Sequence, residues 1–183
     1  MAVTTNKIGI FLYKYTPIVL LFGSILNEID FNDLGLKYFS FNFSYILIFY
    51  YSLRRTDSLG YTYIFIAGLF NDVVVGVPLG ISSLSYILLC AATSYLRNIA
   101  LRPNLLKDWI FFLITISFLN FISFIVLMLI FGYEVSYFDQ MINIFFTFLL
   151  YLIFSYLFNF YDNFLIGKFN VRWEYKCKKI PNN

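Results

Sequence analysis

The stretch Trp109-Ile-Phe-Phe-Leu-Ile-Thr-Ile-Ser-Phe-Leu-Asn-Phe-Ile-Ser-Phe-Ile-Val-Leu-Met-Leu-Ile-Phe131 runs for twenty-three residues without a charged side chain. About 20 such residues, coiled as an α-helix, reach across a hydrocarbon core roughly 30 Å thick. A membrane β-strand would alternate apolar and polar positions, and the unbroken Ile110–Ile114 run does not. In lipid a helix satisfies its own backbone polar groups, so the stretch reads as a transmembrane helix. Working outward, hydropathy breaks at 27–37, 54–58, 76–78, 97–108 and 132–140 divide the chain into six apolar segments. Their approximate limits are 12–29, 36–53, 59–75, 79–96, 109–131 and 140–161. The second and third lie near the lower length limit for a crossing.

Composition agrees. Of 183 residues, 61% are hydrophobic and 13% charged, with a mean hydropathy of +0.77. Soluble domains carry about 45–50% apolar and about 25% charged residues, so a water-soluble fold and a disordered chain are both excluded. At about 20 residues per span the length bounds the count at five to seven crossings. The expected class is therefore an all-α polytopic membrane protein of six transmembrane helices. The abundance of Phe, 24 against 2 Trp, reads as coding bias and not as an aromatic binding surface.

Basic residues set the orientation. Lys7 and Lys14 lie at the start of the first span, Arg54 and Arg55 follow the second, and Arg97, Arg102 and Lys107 follow the fourth. Lys168, Arg172, Lys176, Lys178 and Lys179 follow the sixth, so 12 of the 13 basic residues fall on one side and only Lys37 opposite. The positive-inside rule then places both termini of a multi-pass membrane protein in the cytoplasm. Glu28, Asp30, Asp33, Glu134 and Asp139 fall in two short loops on the other side. Residues 1–165 form a single six-helix domain and residues 166–183 a basic cytoplasmic tail, which is suited to membrane lipid headgroups. The first apolar segment reads as a first span and not as a signal peptide.

The third segment and the turn after it, Gly60-Tyr-Thr-Tyr-Ile-Phe-Ile-Ala-Gly-Leu-Phe-Asn-Asp-Val-Val-Val-Gly-Val-Pro-Leu-Gly80, concentrate small and polar residues. On a helix Gly60, Ala67, Gly68, Asn71 and Asp72 share one broad face that a neighbouring backbone can approach closely. Asp72 sits near the membrane edge and needs a partner. It is either a structural acceptor for N–H groups at the Gly76–Gly80 turn or the start of the fourth span, or a proton or cation site. Pro78, between Gly76 and Gly80, marks a tight helix–helix turn and not a dimerisation face. The fourth span continues with Gly80, Ser83, Cys90, Ala91 and Ser94, so spans 3 and 4 are expected to pack as an antiparallel hairpin and to form the structural centre. Asn120 and Ser123, and the four-residue ladder Asn143, Thr147, Tyr151, Ser155 and Asn159, form further polar stripes, the last winding about 40° per step. Interhelical hydrogen bonds account for them; a substrate pathway is the other reading.

For chemistry the sequence offers little. The chain has no histidine, only Cys90 and Cys177 as thiols, no carboxylate pair within a span, and no phosphate loop or dinucleotide fingerprint. Enzymatic function, a metal, a cofactor and a nucleic-acid partner are not expected. The Arg54-Arg55-Thr56-Asp57 cluster can bind a phosphate, or it can cap the third span through Asp57 or Ser58 while the arginines extend to the interface.

The order of these features resembles the MreD family, the small membrane subunit of the bacterial rod-shape system. The family pattern is an arginine motif followed by Gly-Leu-x-x-Asp-x-x-x-Gly-x-Pro-Leu-Gly, and Gly68, Leu69, Asp72, Gly76, Pro78, Leu79 and Gly80 match it position for position. Thr56 stands where the family often has proline. The specific match covers about 25 residues. The resemblance implies a non-enzymatic scaffold of cell elongation. Such a scaffold partners MreC and, through the complex, MreB and the transglycosylase and transpeptidase of peptidoglycan synthesis. Arg54, Arg55, Asp57, Gly68, Asn71, Asp72, Gly76, Pro78 and Gly80 would form its structural and partner-binding motif. The family also resembles in fold the substrate-binding subunits of energy-coupling-factor vitamin transporters, which makes such a subunit the alternative reading.

Overall fold

The computed structural model describes residues 7–27, 41–55, 59–99, 105–132 and 137–169. Among them the chain is entirely helical: α1 (Lys7–Asn27), α2 (Phe43–Arg54), α3 (Tyr61–Val75), α4 (Ile81–Ile99), α5 (Leu105–Phe131) and α6 (Tyr137–Phe169). One helix therefore answers to each apolar segment. The limits differ most at the second segment, where α2 has 12 residues and begins at Phe43. They also differ at the sixth, where α6 has 33 residues and runs well past 161. The acidic loop residues Glu28, Asp30, Asp33 and Glu134, Lys37, and the tail beyond 169 lie outside the described residues.

Burial centres on α2, not on the α3–α4 hairpin. Every residue from Ser44 to Ser52 is buried, as expected of a helix that is apolar all round. Asn42 caps it by accepting the Tyr45 N–H at 3.3 Å, and the Asn42 N–H itself donates to Thr147 Oγ1 at 2.9 Å. Around it pack α1, α4 and α6. Small polar pairs mark the contacts: Ser24 with Ser44 at 2.7 Å, and Ser52 with Cys90 at 3.4 Å. Where α5 and α6 close the other side, Phe49, Phe112 and Tyr151 form an aromatic cluster with ring centroids 4.4 to 5.6 Å apart. Such pairs add about 0.5–1.5 kcal/mol each beyond their buried area. Trp109 joins α5 to α6 by stacking on Phe148 and donating its indole N–H to the Phe148 carbonyl at 3.0 Å.

The outer surface is as apolar as the interior. Phe118, Phe121, Leu129, Met141, Tyr156 and Phe160 are each more than half exposed. Among the described residues two of the six helices, over Leu106–Phe131 and Gln140–Phe164, are long and apolar enough to cross a bilayer, against the six crossings expected, and only 17% and 22% of their most apolar windows are buried. The core helix of a soluble protein would be mostly buried, so these two meet the requirement of a lipid-facing helix.

Candidate functional site: a carboxylate-closed turn and an arginine cluster at opposite ends

Asp72 lies in the last turn of α3 and is completely buried. Its Oδ2 accepts the Gly80 N–H at 2.7 Å and its Oδ1 the Ser82 N–H at 2.8 Å. Its own carbonyl accepts the N–H groups of Gly76 and Val77 at 3.0 and 3.1 Å. One residue thus satisfies donors at the end of α3 and at the start of α4, the groups that helix termini otherwise leave unpaired. Of the alternatives left open by the sequence, the structural acceptor is what the geometry contains.

The glycines permit this turn. Gly76 (φ 75°) and Gly80 (φ 108°) both have backbone conformations that other residues reach only at about 1–2 kcal/mol, and Pro78 between them has no N–H to satisfy. Gly68 does something else. A Cβ added there would meet Ser83 Cα, lie 2.6 Å from Ser83 N and lie 2.9 Å from its Oγ, so the backbones of α3 and α4 touch at this level. Asn71 donates to Ser82 Oγ at 3.1 Å, while its carbonyl oxygen is buried without a partner. The antiparallel hairpin is therefore present. Its small-residue face differs in detail from expectation: Gly60 is the exposed N-cap of α3 and Ala91 faces outward, whereas Ala67, Gly68, Asn71, Asp72, Ser83 and Cys90 are buried.

Arg54 and Arg55 belong to the opposite end of the bundle. Arg97, near the C-terminus of α4, donates to the Ser52 carbonyl in the last turn of α2 at 3.2 Å. The Gly80 turn precedes the first residue of α4, and that helix of 19 residues spans about 28 Å. Arg54 is exposed, donating to Asn159 Oδ1 at 3.1 Å and lying over the Tyr50 ring. Arg55 does not extend to the interface as expected. It is buried, ion-paired with Asp162 of α6, donates to the Tyr13 carbonyl of α1 at 2.9 Å, and stacks on the Tyr13 ring at 3.4 Å. Tyr50 donates to the other oxygen of Asp162 at 3.5 Å. One guanidinium thus ties together α1, α2 and α6, and the bidentate-capable fork of Arg suits that task. Asp57 lies outside the described residues, and the N-cap of α3 is Gly60, without a side-chain cap bond.

Asp162 and Asp108 were not singled out from the sequence, yet both are buried at this end. Their signal was available: each is an acid at the end of a long apolar segment, Asp108 beside Lys107 and Asp162 six residues before Lys168, where an unpaired carboxylate would be costly. In the α6 ladder, Thr147, Tyr151 and Ser155 are buried together, because two steps of about 40° stay within one contact face, and Asn159 ends on Arg54. Among the described residues no group of His, Cys, Asp and Glu side chains can hold a metal ion. No protein-family model, curated protein or solved structure matches the chain.

Proposed function

We propose that this chain is an MreD-type scaffold of the bacterial cell-elongation machinery. It crosses the inner membrane six times with both termini in the cytoplasm. It associates with MreC and through it with MreB and the peptidoglycan synthases. The observation that carries the reading is the Asp72-closed turn. Gly68, Asp72, Gly76, Pro78 and Gly80, five of the seven positions that resemble the family pattern, each have a distinct physical task in one small structure. A pattern matched by accident has no reason to converge in that way. The six crossings draw support from the polarity of the bundle. Arg54, Arg55 with its partner Asp162, and Arg97 gather at one end, and the Gly76–Gly80 turn lies at the other, as alternating spans with the basic residues inside require.

As a scaffold it acts by assembly and not by turnover. Purification from native membranes with mass spectrometry of what accompanies the protein tests this. Co-isolated MreC is the expected result. A stoichiometric vitamin without MreC would replace the reading with that of a transporter subunit. Reconstituted alone with lipid-linked cell-wall precursors, the protein should consume none of them.

A further inference from the structure

The segment that joins α3 to α4 contains no side chain suited to water. Val73, Val75 and Leu79 are 66%, 52% and 68% exposed, and the run Val73-Val-Val-Gly-Val-Pro-Leu-Gly-Ile81 has no polar side chain. A turn in water can leave its N–H groups to solvent; in hydrocarbon each unpaired group is costly, so most must be satisfied internally. Here the N–H groups of Gly76, Val77, Gly80 and Ser82 end on Asp72 and Pro78 has none, which leaves Leu79 and Ile81 as the turn's donors without a bond to it. The helices are short as well. α3, with 15 residues, rises about 22 Å, and Ile81 to Arg97 about 25 Å, against a hydrocarbon core of roughly 30 Å. With Arg97 at one boundary, the turn falls short of the other.

Beside the turn, a groove of about 200 Å³ opens between α4 and α5, lined by Leu79, Leu84, Leu88, Ile122, Val126 and Phe131. Leu79, Leu84 and Phe131 of its lining are themselves exposed, so it opens onto the apolar outer surface that α5 continues with Phe121 and Ile125. We propose that the α3–α4 turn is immersed in the acyl region of the leaflet opposite the arginine cluster, and that a lipid acyl chain occupies the groove beside it. Continuity with the lipid-facing side of α5 selects an acyl chain as the occupant. Asp72 then serves as the internal substitute for the water that the turn lacks.

Spin labelling of the full-length protein in liposomes tests this. A nitroxide is attached at Leu79→Cys, and in a second protein at Asn98→Cys near the basic end, with Cys177→Ser and the buried Cys90 left in place. Collision with oxygen reports hydrocarbon, and collision with a water-soluble nickel chelate reports the aqueous phase. The expected result is a several-fold lower nickel-chelate accessibility at 79 than at 98, with higher oxygen accessibility at 79. Equal nickel-chelate accessibility at the two sites overturns the proposal. Protection of position 79 from both reagents also overturns it, in favour of a protein occupant. Because the proposal rests on a membrane-spanning bundle, position 98 is the separate control: a hydrocarbon-like label there refutes that placement itself.

Discussion

Replacing Asp72 with Asn and with Ala separates a two-oxygen acceptor from a single one. The carboxylate uses each oxygen for a different backbone donor, Gly80 N–H at 2.7 Å and Ser82 N–H at 2.8 Å. Asn has one acceptor oxygen and an NH2 group, so it satisfies one donor and sets its own N–H against the other. Ala satisfies neither. Leaving a buried donor unpaired costs about 1–3 kcal/mol, which predicts a loss of that size for Asp72→Asn and about twice as much for Asp72→Ala. The site is completely buried, so solvent does not screen the loss. Thermal unfolding of the purified proteins in one detergent reads stability, and the yield of co-purified MreC, the partner that the proposed function requires, reads association. The expected order is wild type, then Asn, then Ala, in both measurements. Asn and Ala failing equally in MreC association while unfolding like the wild type would refute the structural assignment and indicate a role for the charge itself. Asn equal to the wild type would show that one of the two N–H groups does not depend on Asp72.

Gly68→Leu should cost at least the about 1–3 kcal/mol typical of overpacking, because even a Cβ collides with the backbone of Ser83; a lower unfolding temperature and reduced folded yield are the measurements. Asp162→Ala strands the buried guanidinium of Arg55 and should destabilise by about 3–5 kcal/mol, while the double change with Arg55→Leu should recover most of that loss, as read from unfolding curves of the three proteins. Reporter fusions at Lys37, Arg102 and Pro181 test the six crossings: a cytoplasm-only reporter should be active at Arg102 and Pro181 and silent at Lys37, and activity at Lys37 would sink the topology.

Helix number, and the acceptor role of Asp72 as one of two readings, were legible in the sequence for the same reason: both depend on interactions between residues close in the chain. Apolar runs broken by charge report a helix whatever it packs against. An acid eight and ten residues before two helix-start N–H groups has few other partners within reach across a turn held by Pro78. The ion pair of Arg55 with Asp162 connects residues more than a hundred positions apart, and no periodicity announces it. Read alone, each residue has an adequate local explanation, Arg55 as a topology signal and Asp162 as the polar end of a span. What distinguishes Arg55 from Arg54 is that Arg54 is the last residue of α2 whereas Arg55 is its C-cap, with φ −137° and ψ 79°. The phase of that helix follows from enclosure by three neighbours and not from its own uniformly apolar sequence. For the same reason α2 was not recognised as the centre. A helix buried on every side carries no amphipathic pattern, and in lipid a helix exposed on every side carries none either. Burial in a membrane bundle is therefore read from polar pairs, Ser24 with Ser44 and Ser52 with Cys90. Hydropathy does not disclose those pairs, because lipid-facing and protein-facing positions are equally apolar.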